Sequence, residues 1–115
     1  KVGGLEIGAI AGSILQAAAS GVPIIVDGHI STAGAIIAAK LCPQATAYMI
    51  PSHCSMEPGH IKALSLIGRK PLLNLDMRLG EGTGAVLCIH IVEASIRILK
   101  EMATFEEAAV SRKIE

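Results

Sequence analysis

Aromatic side chains are almost missing from this chain. Tyrosine and phenylalanine occur once each, at Tyr48 and Phe105, and tryptophan does not occur. Basic runs are missing too: 10 Lys and Arg are balanced by 10 Asp and Glu, for a formal charge of zero. A nucleic-acid binder needs a basic footprint and, for single strands, stacking rings, so no nucleic-acid partner is expected. Cysteine is scarce. Cys42, Cys54 and Cys88 are odd in number and far apart, which suits reduced thiols in a cytoplasmic protein rather than a disulfide framework. His53, Cys54 and His60 lie close in sequence, but no CxxC or HExxH spacing is present. No metal and no cofactor are expected. Residues 7–26 lack charge over a length that could span a bilayer. Ser13, Gln16 and the break Ser20-Gly21-Val22-Pro23 interrupt it, so a buried helix, a turn and a buried strand explain it better, and no membrane partner is expected.

What is present is apolar mass. Hydrophobic residues make up 51% and charged residues 17% of 115 residues, enough for one folded domain and not for two. The chain starts at Lys1-Val2-Gly3 with no initiator methionine, which reads as a piece of a larger protein.

The pattern predicts a helix over 4–19, with Gly4, Gly8 and Gly12 on one face that lets it lie close on a sheet. Pro23 to Val26 is a short, continuously apolar, β-branched run, the mark of a parallel strand covered on both faces. Ser31-Thr32 can cap a helix running to Cys42, stopped by Pro43. Ala45 to Ile50 reads as a second strand. Glu57-Pro58 opens a third helix with Ile61, Leu64 and Ile67 as its buried stripe. Pro71 to Leu75 reads as a third strand. A helix from Thr83 or Gly84 to Met102 is apolar nearly all round in its first half, so it is expected to be central and buried. Thr104-Phe105-Glu106-Glu107 is a capping box for a last short helix, with 111–115 fraying. The fold class is α/β: a parallel sheet with helices on both faces, Rossmann-like and three-layered, as a fragment of a larger domain plus a short C-terminal helix. Residues 1–103 fall in the α/β part and 104–115 in the C-terminal helix and tail.

In an open parallel sheet, ligands bind at the carboxyl ends of the strands. Those ends carry Asp27-Gly28-His29, Ser52-His53-Cys54-Ser55 and the stretch Asp76 to Gly84, where the polar and glycine residues concentrate. The opposite ends offer little chemistry. Nucleophilic catalysis by Cys54 with His53 is disfavoured, because neighbours on a strand point to opposite faces. Gly80-x-Gly82-x-Gly84 matches only the opening of a dinucleotide fingerprint. A phosphate or ribose-phosphate site is the best remaining reading. Gly82, Thr83 and Gly84 would supply amides and a hydroxyl at a helix start, Gly28 and Ser55 would reach the same ligand, and Glu81 would be the acid–base residue. The rival reading is a non-catalytic phosphate-binding α/β fragment.

Five stretches occur together in order: Val2-Gly3-Gly4-Leu5-Glu6-Ile7, Val26-Asp27-Gly28-x-Ile30-Ser31-Thr32, Ser52-His53-x-Ser55-x-Glu57-Pro58-Gly59-His60, Leu79-Gly80-Glu81-Gly82-Thr83-Gly84-Ala85 and Glu101-Met102-Ala103-Thr104-Phe105. In these the chain resembles the C-terminal part of the nicotinate-nucleotide–dimethylbenzimidazole phosphoribosyltransferases. The resemblance implies a cytoplasmic, homodimeric enzyme of cobalamin biosynthesis that uses no cofactor. It moves 5-phosphoribose from nicotinate mononucleotide to 5,6-dimethylbenzimidazole, giving α-ribazole 5′-phosphate and nicotinate. It also implies that Glu81 is the catalytic base, since that is the glutamate of the family's LGEGTGA motif. Met77 and Leu79 would form an apolar wall for the aromatic base. Such enzymes are roughly three times this length, so the chain alone is expected to be inactive.

Overall fold

A computed structural model describes residues 3–109. Residues 1–2 and 110–115, which include the first residue of one motif and the tail expected to fray, lie outside the described residues. Helix α1 (Leu5–Ala19) leads into strand β1 (Ile24–Val26), helix α2 (His29–Leu41), a 3₁₀ turn over Pro43–Tyr48, strand β2 (Met49–Pro51), helix α3 (His60–Leu66) and helix α4 (Thr83–Glu101). The strands pair in parallel, Ile24 with Met49, Ile25 with Ile50 and Val26 with Pro51. The α/β class with a parallel sheet stands. No described helix is long and apolar enough to cross a membrane.

The sheet is smaller than its pattern suggested, and two strands change. Ala45 to Tyr48 is not strand. Pro43 opens a tight turn in which the Ala45 amide donates to the Cys42 carbonyl at 3.0 Å and the Thr46 hydroxyl to the Pro43 carbonyl at 2.8 Å. Local side-chain bonding of that kind competes with a ladder. The third strand shrinks to one parallel bridge, His53 with Leu73. It still runs beside the extension of β2. The Leu73 amide donates to the Ser52 carbonyl at 2.9 Å, the Cys54 amide to Leu73 at 2.8 Å, and the Met56 amide to Met77 at 3.0 Å. Pro71 has no N–H to give, and Asp76 turns the chain away with φ 53°.

Helix starts also differ. α2 begins at His29 on an extended Gly28, so Ser31 and Thr32 sit in its first turn and do not cap it. α3 begins at His60 after Gly59, whose φ of 89° only glycine adopts freely. His60 rather than Ile61 is buried with Leu64 and Ile67.

The core gathers Ala11 and Ile14 of α1, Val26 of β1, Ala35 and Ala38 of α2, and Ala45, Met49, Leu64 and Ile67. Small residues let the helices close on one another. The tight contact is at Gly34 of α2, where a Cβ would lie 3.2 Å from the Ile7 carbonyl oxygen and 2.5 Å from Ile10 Cγ2. Gly8 and Gly12, by contrast, face open space. The close approach expected of the α1 glycines is thus made by α2, against α1.

Helix α4 buries only Gly84 and Cys88, one turn apart. Val86, Leu87, Ile89 and Ile91 stay exposed. The expectation of a buried helix is corrected: its apolar girth is real, but among the described residues only the stripe facing β1 finds packing partners. The capping box at 104–107 forms. The Thr104 amide donates to Glu107 Oε2 at 2.7 Å and the Glu107 amide to Thr104 Oγ1 at 3.2 Å. It leads into turns over 105–109 rather than a helix.

Candidate active site

A cavity of about 450 Å³ opens at the carboxyl ends of the strands. Three segments line it. Asp27, Gly28 and the first turn of α2 come from the end of β1. His53, Ser55 and Glu57 come from beyond β2. Arg78, Leu79, Gly80 and Glu81 come from the glycine loop. Parallel strands direct all three loops to the same edge, which is why residues so far apart in sequence meet here.

Asp27 organises the loop. Its carboxylate accepts from the Gly82 amide (Oδ2, 3.0 Å) and the Ala85 amide (Oδ1, 3.0 Å). The Thr83 amide donates to the Gly80 carbonyl at 3.0 Å. Asp27 therefore supplies the negative charge that the α4 N-terminus favours. The sequence showed Asp27 only as a polar stop after β1. Nothing local could have paired it with amides 55 and 58 residues away.

We predict that Asp27→Asn loosens this start. An amide side chain can accept at one position but presents N–H at the other. Loss of a capping carboxylate of this kind costs about 0.5–2 kcal/mol, visible as a lower melting temperature. A variant that melts with the wild type would show the cap to be dispensable.

Beneath the loop, His53 is fully buried and packs under Gly84, where a Cβ would lie 2.7 Å from its Cε1. The Ser52 hydroxyl donates to the Asp27 carbonyl at 2.9 Å and lies 2.9 Å from His53 Nδ1. With its own proton committed, that hydroxyl accepts, so Nδ1 carries the hydrogen. Cys88, fully buried, donates to the Ser52 carbonyl at 3.3 Å. Burial, with the Asp27 carboxylate, pushes its thiol up, so it is a packing residue and not a nucleophile. Cys54 lies in a different hollow with Ile61, Leu64 and Pro71, away from His53. All three cysteines are free thiols.

Of the residues singled out from the sequence, Gly28, Ser55, Leu79 and Glu81 line this cavity. Gly82, Thr83, Gly84 and Met77 are not among its lining residues. Gly82 is held by Asp27, Gly84 faces His53, and half-buried Met77 bonds Met56 through its backbone carbonyl. Leu79 is exposed. Arg78, Glu57 and His53 also line the cavity and had been given no role. Arg78 could have been noticed as the cation nearest the glycine loop. No group of three metal-ligating side chains is assembled among the described residues.

The backbone of the glycine loop is left-handed, and it is strained at Glu81. Gly80, Glu81 and Gly82 all take left-handed conformations, with φ of 74°, 54° and 78°. A glutamate held in that region costs of order 1–3 kcal/mol and is found where the surroundings over-determine it, commonly at functional sites.

The chain is similar to known proteins over nearly its whole length. A phosphoribosyltransferase family profile matches residues 1–110. The nicotinate-nucleotide–dimethylbenzimidazole phosphoribosyltransferase of Chloroflexus aurantiacus is 60% identical over 114 residues, 99% of this chain and 32% of that protein. The enzyme of the same name from Syntrophotalea carbinolica is 60% identical over 112 residues, 97% of this chain and 32% of its own. The crystal structure of the Thermus thermophilus enzyme superposes with a TM-score of 0.91 at 50% identity, covering 96% of this chain and 33% of that one. The chain thus spans about a third of the length of the relatives it matches. With the family profile covering nearly all of it, the chain belongs to the phosphoribosyltransferase family of which these nicotinate-nucleotide–dimethylbenzimidazole enzymes are members.

Proposed function

We propose that this chain forms one wall of an active site that transfers 5-phosphoribose from nicotinate mononucleotide to 5,6-dimethylbenzimidazole. The observation that carries the reading is Glu81, a carboxylate in a left-handed backbone between two left-handed glycines at the mouth of the cavity. The matching relatives carry transferase names, which favours this over a non-catalytic phosphate binder. By resemblance, the complete enzyme is a cytoplasmic homodimer of cobalamin biosynthesis. Residues 1–103 belong to its α/β catalytic domain and 104–115 to its helical part.

The chemistry requires little of the protein. Nicotinate leaves from a cationic pyridinium, so it departs as a neutral ring and needs no general acid. The attacking benzimidazole nitrogen gains positive charge as its bond to the anomeric carbon forms. Removing the proton from the other ring nitrogen neutralises the product. Glu81 takes that proton, and a positioned base of this kind contributes ~10²–10⁴-fold in rate. Leu79, which lines the cavity, offers apolar surface to the flat ring.

Gly28 and Ser55 hold the 5′-phosphate end, with the Arg78 guanidinium as a cation on the same wall. A phosphate that also reached Gly82, Thr83 and Gly84 would require Asp27 to release their helix start. With Asp27 in place, the Gly82 amide is taken by its carboxylate and the Thr83 amide by the Gly80 carbonyl.

The test uses two proteins: this chain alone, and a full-length Chloroflexus enzyme in which this chain replaces its counterpart. We expect the chimera to release nicotinate from nicotinate mononucleotide only when dimethylbenzimidazole is present, and the chain alone to release none. A chimera that binds the nucleotide but never cleaves it would leave a binding role only.

A further inference from the structure

His60 lies at the start of α3, fully buried, between two of the loops that line the cavity. Its Nδ1 accepts from the Ser55 backbone amide at 2.8 Å. A nitrogen that accepts carries no hydrogen, so in the neutral ring the proton is on Nε2. Nε2 is 2.9 Å from Thr32 Oγ1, and that hydroxyl donates to the Gly28 carbonyl at 2.9 Å. The chain of donors therefore has one consistent direction, from the Ser55 amide through the ring and Thr32 to Gly28. Ser55 extends the order by accepting from the Glu57 amide at 3.2 Å. Gly28, Ser55 and Glu57 all line the cavity. His60 itself does not.

We propose that His60 is a positioning residue for this site: its neutral imidazole ties the backbone at Gly28 to that at Ser55, and a phosphorylated nucleotide binds there only while the tie is intact. The choice of ligand rests on the proposed function; the tie does not. A proton added at Nδ1 would face the Ser55 amide with a second donor and break the link. The Ser55 amide would lose its acceptor, and a buried N–H without one is costly.

The groups around the ring all bear on its charge. Burial lowers its proton affinity below that of an ordinary histidine. His29 of α2 and His53 beyond β2 push in the same direction, and Asp27 after β1 opposes them. His29 stands edge-on to the ring at 5.6 Å and His53 at 6.3 Å between centroids. Because the folded value is depressed, the neutral tie is intact above the unfolded value of about 6.5 and is lost as pH falls through the lower folded value.

The experiment measures nicotinate mononucleotide affinity by calorimetry in the full-length chimera from about pH 5 to pH 8, for wild type, His60→Asn and His60→Phe. The asparagine oxygen can replace Nδ1 as acceptor for Ser55 and cannot titrate. Phenylalanine fills the space and accepts nothing. The substrate phosphate titrates near about 6 in every variant, so the readout is the difference between profiles. We expect wild type to lose up to about tenfold in affinity per pH unit below the folded value relative to His60→Asn, and His60→Phe to bind weakly at every pH. His60→Phe binding the nucleotide as tightly as wild type at pH 8 would overturn the proposal while leaving the proposed function intact. If no variant binds the nucleotide, the proposed function fails. The tie is then judged by hydrogen exchange at the Ser55 amide, and equal protection in wild type and His60→Phe at neutral pH would overturn it.

Discussion

Glu81→Gln in the full-length chimera should lower turnover by ~10²-fold or more and leave nicotinate mononucleotide affinity nearly unchanged. Glutamine keeps the length and hydrogen-bonding shape of the side chain and removes its affinity for a proton. It also keeps the backbone as it is, since both residues meet the same penalty at φ 54°. A companion variant separates chemistry from structure. Glu81→Gly removes the carboxylate and relieves the left-handed backbone, so it should melt at or above the wild-type temperature while turnover collapses. That combination, a stabilised protein with no activity, is the mark of a residue kept in a strained conformation for its chemistry. If Glu81 served only to shape the loop, the glutamine variant would retain most turnover. The proton-abstraction mechanism would then have to be given up.

Gly84→Ala should be the most destabilising glycine replacement in the chain, at about 1–3 kcal/mol from overpacking. Gly84 is buried in the first turn of α4 directly over the His53 ring. A Cβ there would lie 2.7 Å from Cε1 and 2.8 Å from Cγ. The ring has no room to yield, being fully buried, with its Nδ1 beside Ser52 Oγ at 2.9 Å and Asp27 Oδ1 at 3.8 Å. Either the helix start or the ring must move, and both are joined to Asp27. Valine at 84 should be worse, and any loss of nucleotide affinity it brings would act through His53 and the loop, since Gly84 does not line the cavity. Gly12→Ala is the opposite control. Gly12 is an exposed helical glycine with nothing near it, so alanine there should stabilise by roughly 0.5–1 kcal/mol. Thermal melting of the two variants in the chimera checks the sign of each effect. Equal melting temperatures would mean that the contact at His53 does not restrain α4.

Much of the architecture was legible from local pattern. Pro23 and the run to Val26 marked a parallel strand because proline and continuous β-branched residues constrain their own backbone. The start of α4 at Thr83 was readable because glycines precede a continuous apolar run, and the capping box at Thr104 and Glu107 because it is made by residues within one turn of each other. Concentration of Gly28, Ser55, Leu79 and Glu81 at the strand ends could be anticipated because parallel strands direct those loops to one edge. Tertiary structure alone decided what each polar group bonds. The amides of Gly82 and Ala85 go to Asp27, His60 rather than Ile61 is the buried residue at the start of α3, and Gly84 faces an imidazole. It also decided that Ala45 to Tyr48 turns instead of extending, and that among the described residues only the Gly84–Cys88 stripe of α4 is covered. The physical reason is the range of the interactions. Helix and strand preferences act through a residue's own dihedral angles and neighbours a turn away. A carboxylate finds its amides, and an apolar face its cover, only when segments more than fifty residues apart have already been brought together.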